Sequence, residues 1–163
     1  GFFLDAIKEN IFFLNMKVKI DILIGKESRK KINSWKRKIK EINKKKGNIK
    51  VSVFVTDFFK RLYKADIAIL SGGLTIFNAL YCGIPVIGIP QYKHQLDTLK
   101  NLKSLNAIKL GCKNMSLKKK LFIDTLNNLA TSKDDRQMLK KNGSNLIDGK
   151  GPDRVIDVLS NLL

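Results

Sequence analysis

The chain has 163 residues, with 32 Lys and Arg against 14 Asp and Glu, for a formal charge of +18. Its 44% hydrophobic content suffices for the core of one domain of about 100–200 residues and excludes wholesale disorder. No run approaches the roughly 20 apolar residues of a membrane span, and no signal peptide is recognisable. Cys82 and Cys112 have no metal-type spacing and His94 is the single histidine, so no metal is expected and the setting is read as reduced and cytoplasmic.

In chain order, Phe2, Phe3, Ile7, Ile11 and Leu14 recur at helical intervals over residues 2–15. Val18, Ile20, Ile22 and Ile24 then alternate with Lys17, Lys19 and Asp21, which predicts a strand ending at Gly25. Residues 26–50 hold 12 basic and 2 acidic side chains, with Ile32, Trp35, Ile39 and Ile42 at helical spacing. A solvated basic face over a buried stripe is the simplest reading; contact with RNA or an anionic membrane surface is the alternative. Lys supplies 27 of the 32 positive charges. Arg, the better fork for bases and phosphates, is scarce, and an A/T-rich genome would also account for abundant Lys, Asn and Ile.

Ile49–Val55 is a second strand, followed by a short helix over 57–63 with Asp57 placed to cap it. Asp66–Leu70 is an apolar run too short for a helix, and Ser71-Gly72-Gly73 ends it. Thr75–Cys82 is predicted helical, Pro85–Ile89 a buried strand, Gln95–Leu105 a helix and Ala107–Leu110 a short strand. Helical stretches over about 116–130, 133–143 and 151–163 complete the chain. Strands alternating with helices mean an α/β fold, with a Rossmann-like parallel sheet carrying helices on both faces. Such a sheet ordinarily opens with a central strand, whereas this sequence opens with a helix. The first strand is expected to be missing, which makes the 163 residues one α/β lobe from a larger protein.

The informative segment is ADIAILSGGLTIFNALYCGIPVIGIPQYKHQ, residues 65–95. A buried strand, two glycines and a helix start aim free backbone N–H groups and the positive helix end at one point, which suits an anion. The glycines are expected to permit a tight turn and close approach of a diphosphate, and the Thr75 hydroxyl to cap the helix, bind a phosphate oxygen or both. Neither GxGxxG nor GxxxxGK[ST] is present, so a dinucleotide or P-loop site is not supported.

Ala65-Asp66, SGGLTIFNALYCGIPVIGIP and His94-Gln95 resemble the nucleotide-sugar-binding, C-terminal lobe of GT-B fold enzymes. The similarity is to the PseG-like UDP-sugar hydrolases of pseudaminic acid synthesis and their spore-coat polysaccharide relatives, and the MurG-like transferases share the layout. The tail LIDGKGPDRVIDVL is also similar to the hydrolase branch. The resemblance implies that Gly72, Gly73, Leu74 and Thr75 hold the donor diphosphate. It also implies that Phe54 and Val55 meet the uracil ring, and that His94 and Gln95 face the sugar and phosphates. Asn78 stands where many members carry a Glu that binds the ribose hydroxyls; an amide accepts hydrogen bonds there more weakly than a carboxylate.

The resemblance further implies a two-lobe enzyme that hydrolyses or transfers from a UDP-sugar without a cofactor. Its catalytic residues are expected on an upstream N-terminal lobe, so that these residues alone bind and do not catalyse. Rival readings stand beside each residue: Asn78 as a polar residue on a half-exposed helix, His94 as a loop histidine, Gln95 as a helix cap. Asp134 and Asp135 read as a helix start rather than a catalytic pair.

Overall fold

A computed structural model describes residues 2–9, 18–24, 29–44, 48–53, 55–112 and 118–162. The chain divides into two compact units, Gly1–Phe59 and Lys60–Leu163.

In the first unit, α1 (Phe2–Glu9), β1 (Ile20–Ile24), α2 (Arg29–Lys44) and β2 (Ile49–Val53) follow in order. β1 and β2 pair in parallel, with Ile20 opposite Ile49 and Ile24 opposite Val53. The helix predicted over 2–15 is seen as far as Glu9, and its second half lies outside the described residues. Both strands start or stop short of their apolar runs, at Ile20 rather than Val18 and at Val53 rather than Val55. The helical stripe of α2 is confirmed: Ile39 and Ile42 are buried, Ile32 and Trp35 half-buried, and the helix packs on β2 and α1. Asn43 ties the end of α2 to the start of β2 by donating from Nδ2 to Ile49 O and accepting at Oδ1 from Ile49 N, both at 2.9 Å.

The short helix α3 (Phe58–Tyr63) spans the division between the units. The second unit continues with β3 (Ala68–Leu70), α4 (Leu74–Tyr81), β4 (Val86–Gly88), α5 (Lys93–Ser104) and β5 (Lys109–Leu110). It ends with α6 (Lys119–Thr131), α7 (Lys133–Leu146) and α8 (Gly151–Ser160). Its three strands are all parallel in the order β3-β4-β5, as the strand–helix alternation predicts. β4, in the middle, is buried at every residue. β3 was expected to be buried on both faces, yet Ile69 and Leu70 are only half-buried; β3 pairs with β4 alone and is an edge among the described residues.

Two helix ends turn the chain back to the sheet in the same way. After α4, Gly83 takes a left-handed φ of 66°, Gly83 N donates to Leu80 O and Ile84 N to Ala79 O. After α5, Asn106 takes φ 52°, with Asn106 N on Lys103 O and Ala107 N on Leu102 O. Both have the bond pattern of the Schellman motif, which satisfies the last carbonyls and returns the chain directly into β4 and β5. The core beneath is apolar: Ile76, Leu80, Val86, Ile87, Leu99, Ile108 and Phe122 are completely enclosed. Gly143 on α7 allows the close crossing with α4, because a Cβ there would sit 2.9 Å from Leu80 Cδ2.

Candidate functional site: the Ser71–Thr75 turn and the start of α5

β3 and β4 are adjacent parallel strands, so the loops that leave their carboxyl ends emerge side by side and each leads into a helix. Open parallel sheets bind ligands at this end, because helix N-termini collect there. The two helix starts touch: a Cβ on Gly72 would lie 2.6 Å from Gln95 O, 3.0 Å from Gln95 Cβ and 3.1 Å from Leu99 Cγ. Gly72 is therefore glycine because α5 approaches its backbone. The chain bends at Gly72 and Gly73 without a left-handed φ at either; the left-handed glycines among the described residues are Gly83 and Gly149.

Gly73 is different. It has extended backbone, φ −94° and ψ −172°, and stands as the N-cap of α4 with no side chain capping the helix. A Cβ there would meet nothing closer than Gln95 Nε2 and Ser71 Oγ, each at 3.9 Å. The space in front of Gly73 is open and bounded by two hydrogen-bonding side chains. Thr75, expected as a possible cap, is the second residue of a helix that begins at Leu74, so its hydroxyl is not the cap. In the first turn of α4, Ile76 N donates to Gly73 O at 3.1 Å, while the Leu74 and Thr75 amides, at the positive end of the helix dipole, have no acceptor among the described residues. Leu74 projects into solvent with 83% of its surface exposed. Asn78, one turn beyond Thr75 on the same face, is half-buried and has no side-chain hydrogen bond among the described residues.

At the start of α5, Gln95 is the one buried polar side chain among the described residues, 8% exposed. Its Oε1 accepts from Gln91 N at 2.8 Å and Tyr92 N at 3.4 Å, while Gln95 N donates to Tyr92 O at 3.1 Å. Gln95 thus does cap α5. With the oxygen committed to the loop, the amide nitrogen is the end of the side chain turned toward Gly73. His94 is exposed and lies parallel to the Tyr92 ring, centroids 5.8 Å apart at 4°.

Gly72, Gly73, Leu74, Thr75, Asn78, His94 and Gln95 all lie on these two loops and the helices they open. Val55 is half-buried beyond β2 in the first unit, and Phe54 lies outside the described residues. Sequence reasoning passed over Ser71, whose hydroxyl borders the space before Gly73, and Tyr92, the N-cap of α5 that stacks on His94. Both were legible as the flanks of the motif. Asp134 and Asp135 begin α7, where the Ser132 hydroxyl accepts from Asp135 N and Lys109 pairs with Asp135 at 3.3 Å. No group of three His, Cys, Asp or Glu side chains among the described residues is placed to hold a metal ion. Cys112 is buried, which raises its thiol above the ordinary range and disfavours the reactive thiolate.

Parallel strands each leading into a helix, with an open and uncapped helix start at Gly73, define a chain of the parallel α/β class. The chain has the fold of one lobe of the GT-B enzymes. MurG of Acinetobacter baumannii matches over 96% of this chain and 46% of its own, with a TM-score of 0.64 at 17% identity. WaaG, a glycosyltransferase involved in lipopolysaccharide biosynthesis, matches over 96% of this chain and 42% of its own, with a TM-score of 0.69 at 14% identity. In sequence, the chain is 30% identical over 119 residues to the spore coat polysaccharide biosynthesis protein SpsG of Bacillus subtilis (strain 168). That match takes in 72% of this chain and 35% of SpsG, so the chain spans about a third of the relative's length. No protein-family profile matches the chain.

Proposed function

We propose that these residues are the donor-binding lobe of a cytoplasmic two-lobe enzyme that acts on a UDP-sugar in surface-polysaccharide synthesis. The observation that carries the reading is the uncapped start of α4 at Gly73, open in front and flanked by Gln95 Nε2 and Ser71 Oγ. A diphosphate placed there receives the Leu74 and Thr75 amides together with the Gln95 amide. The same donors stabilise the charge that grows on the leaving UDP as the sugar–phosphate bond breaks, without reorganising during the reaction. Leu74, Thr75 and Asn78 then lie along the nucleoside side of α4, and His94 with Tyr92 toward the sugar.

The finer reading is a hydrolase of the kind that releases a free sugar for nonulosonic acid assembly, with water as nucleophile. It is supported by the kinship with SpsG and by the tail around Asp148–Val155. A second reading, transfer to an acceptor hydroxyl, is favoured by the fold shared with MurG and WaaG. In either case the upstream lobe supplies the catalytic base, and the present residues alone bind without turnover. The test is incubation of the full-length enzyme with UDP-sugar in ¹⁸O-water without acceptor. Hydrolysis yields free sugar carrying ¹⁸O at the anomeric carbon; absence of product until an acceptor is added assigns transfer. UDP release in neither condition contradicts both.

A further inference from the structure

The first unit carries a feature that donor binding does not use. On α2, Lys30, Arg37, Lys40 and Lys44 are exposed, and with Asn33 they occupy a strip about 80° wide along the side of the helix facing away from Ile39 and Ile42. The strip runs about 21 Å, from Lys30 to Lys44, at a rise of about 1.5 Å per residue. Among the described residues no ion pair involves any of the four cations. Asp5 pairs with Lys38 at 2.9 Å, and Glu41, one turn from Arg37, pairs with Lys8 at 3.3 Å. The aspartate raises the Lys38 ammonium above its ordinary range by hydrogen bond and charge, so that cation stays protonated and paired in place.

We propose that this strip is a docking surface for an anionic lipid bilayer. A bilayer presents a plane of negative charge, which a straight row of flexible ammonium groups on a convex helix can meet all at once. Nucleic acid is the poorer fit. Single strands are held in grooves with aromatic platforms, whereas the aromatic residue of α2, Trp35, is half-buried and lies under the Lys31 ammonium at 5.2 Å. Three of the four cations are lysines, point charges that read no base edge. The apolar face of α2 is spent on the core, so attachment is electrostatic and peripheral, without insertion.

The test is co-sedimentation of the chain with vesicles of phosphatidylcholine alone and of phosphatidylcholine mixed with phosphatidylglycerol, at low and high salt. A variant with Lys30→Gln, Arg37→Gln, Lys40→Gln and Lys44→Gln is compared with a control of equal charge change, Lys100→Gln, Lys103→Gln, Lys141→Gln and Lys150→Gln. Glutamine is a good helix former, and circular dichroism checks that both variants remain folded. The expected result is binding only to the phosphatidylglycerol vesicles, weakened by salt, at least tenfold lower in the α2 variant and retained in the control. Equal losses in both variants would reduce the effect to net charge and overturn the site. Equal binding to both vesicle types, or binding to a single-stranded RNA probe in place of vesicles, would overturn the lipid assignment.

Discussion

Two regions of this protein are suited to anions by opposite means. The turn at Gly73 offers backbone amides and one buried, oriented side-chain amide, where the Gly72 backbone meets Gln95 and Leu99 of α5. The strip on α2 offers four long, solvated cations with no ion pair among the described residues. Fixed donors in a partly desolvated turn select geometry and are little affected by salt, whereas solvated lysines select charge density and are screened within about 8 Å at physiological ionic strength. A chain of net charge +18 therefore need not bind its substrate with its lysines. The charge that dominates the composition and the donors that define the site belong to different elements.

The largest effect that separates the two regions is expected from Gly73→Asp. There is open space for the side chain, so the melting temperature stays close to wild type. UDP affinity falls by about a hundredfold or more, because like charges in contact cost several kcal/mol. Unchanged affinity would move the site elsewhere. Gly72→Ala sharpens the contrast between neighbours: its Cβ would press on the backbone oxygen of Gln95 at 2.6 Å. Overpacking of this kind costs about 1–3 kcal/mol, measurable by denaturant unfolding, where Gly73→Ala costs far less.

Gln95→Glu divides the two jobs of one side chain. A carboxylate still accepts from Gln91 N and Tyr92 N, so stability is kept, but it has no donor to offer before Gly73. UDP affinity should fall by about tenfold, the scale of one charge-assisted hydrogen bond. Gln95→Leu should lower stability as well, by leaving the Gln91 and Tyr92 amides without their acceptor.

The smallest effect concerns α8, which leaves the lobe with Val155, Ile156, Val158 and Leu159 all more than half exposed. Its start is held by Arg154, whose guanidinium donates to both Asp148 oxygens at 2.8 and 3.0 Å, with Lys150 N donating to Asp148 Oδ1 at 3.0 Å. The guanidinium bonds, foremost, hold the Asp148 carboxyl well below its ordinary value. A depressed carboxyl stabilises the fold fully above the unfolded value near 3.8, and this contribution is lost as pH falls through the lower folded value. Amide exchange over 151–160, measured relative to the intrinsic rate at each pH, should therefore quicken on acidification below about pH 4 in the native chain. In Asp148→Asn it should already be faster at neutral pH and lack that pH step.

Much of this was legible in the sequence because it is local. The apolar run at Val86–Gly88 reads as a central strand and is one, and the helical spacing of Ile32, Trp35, Ile39 and Ile42 identifies the buried stripe of α2. What was not legible depends on residues distant in the chain. The run before Ser71 is apolar enough for a central strand, yet Ile69 and Leu70 are half-open because β3 pairs with one neighbour. Gly72 and Gly73 are indistinguishable as letters. Only the approach of Gln95 and Leu99, more than 20 residues later, makes the first a packing requirement and leaves the second free for a ligand. Gln95 was read as facing substrate or as a helix cap, and its two ends serve different neighbours, the oxygen its own loop and the nitrogen the turn at Gly73.

The central claim is that the turn at Gly73, and not the basic surface, binds the nucleotide. Calorimetric titration of the chain with UDP, CMP and GDP, at low and at high salt, tests it most directly. Selective UDP binding with nearly the same affinity at both salts is the expected result. Binding of all three nucleotides alike, lost as salt rises, would mean that lysines attract any phosphate and would contradict it.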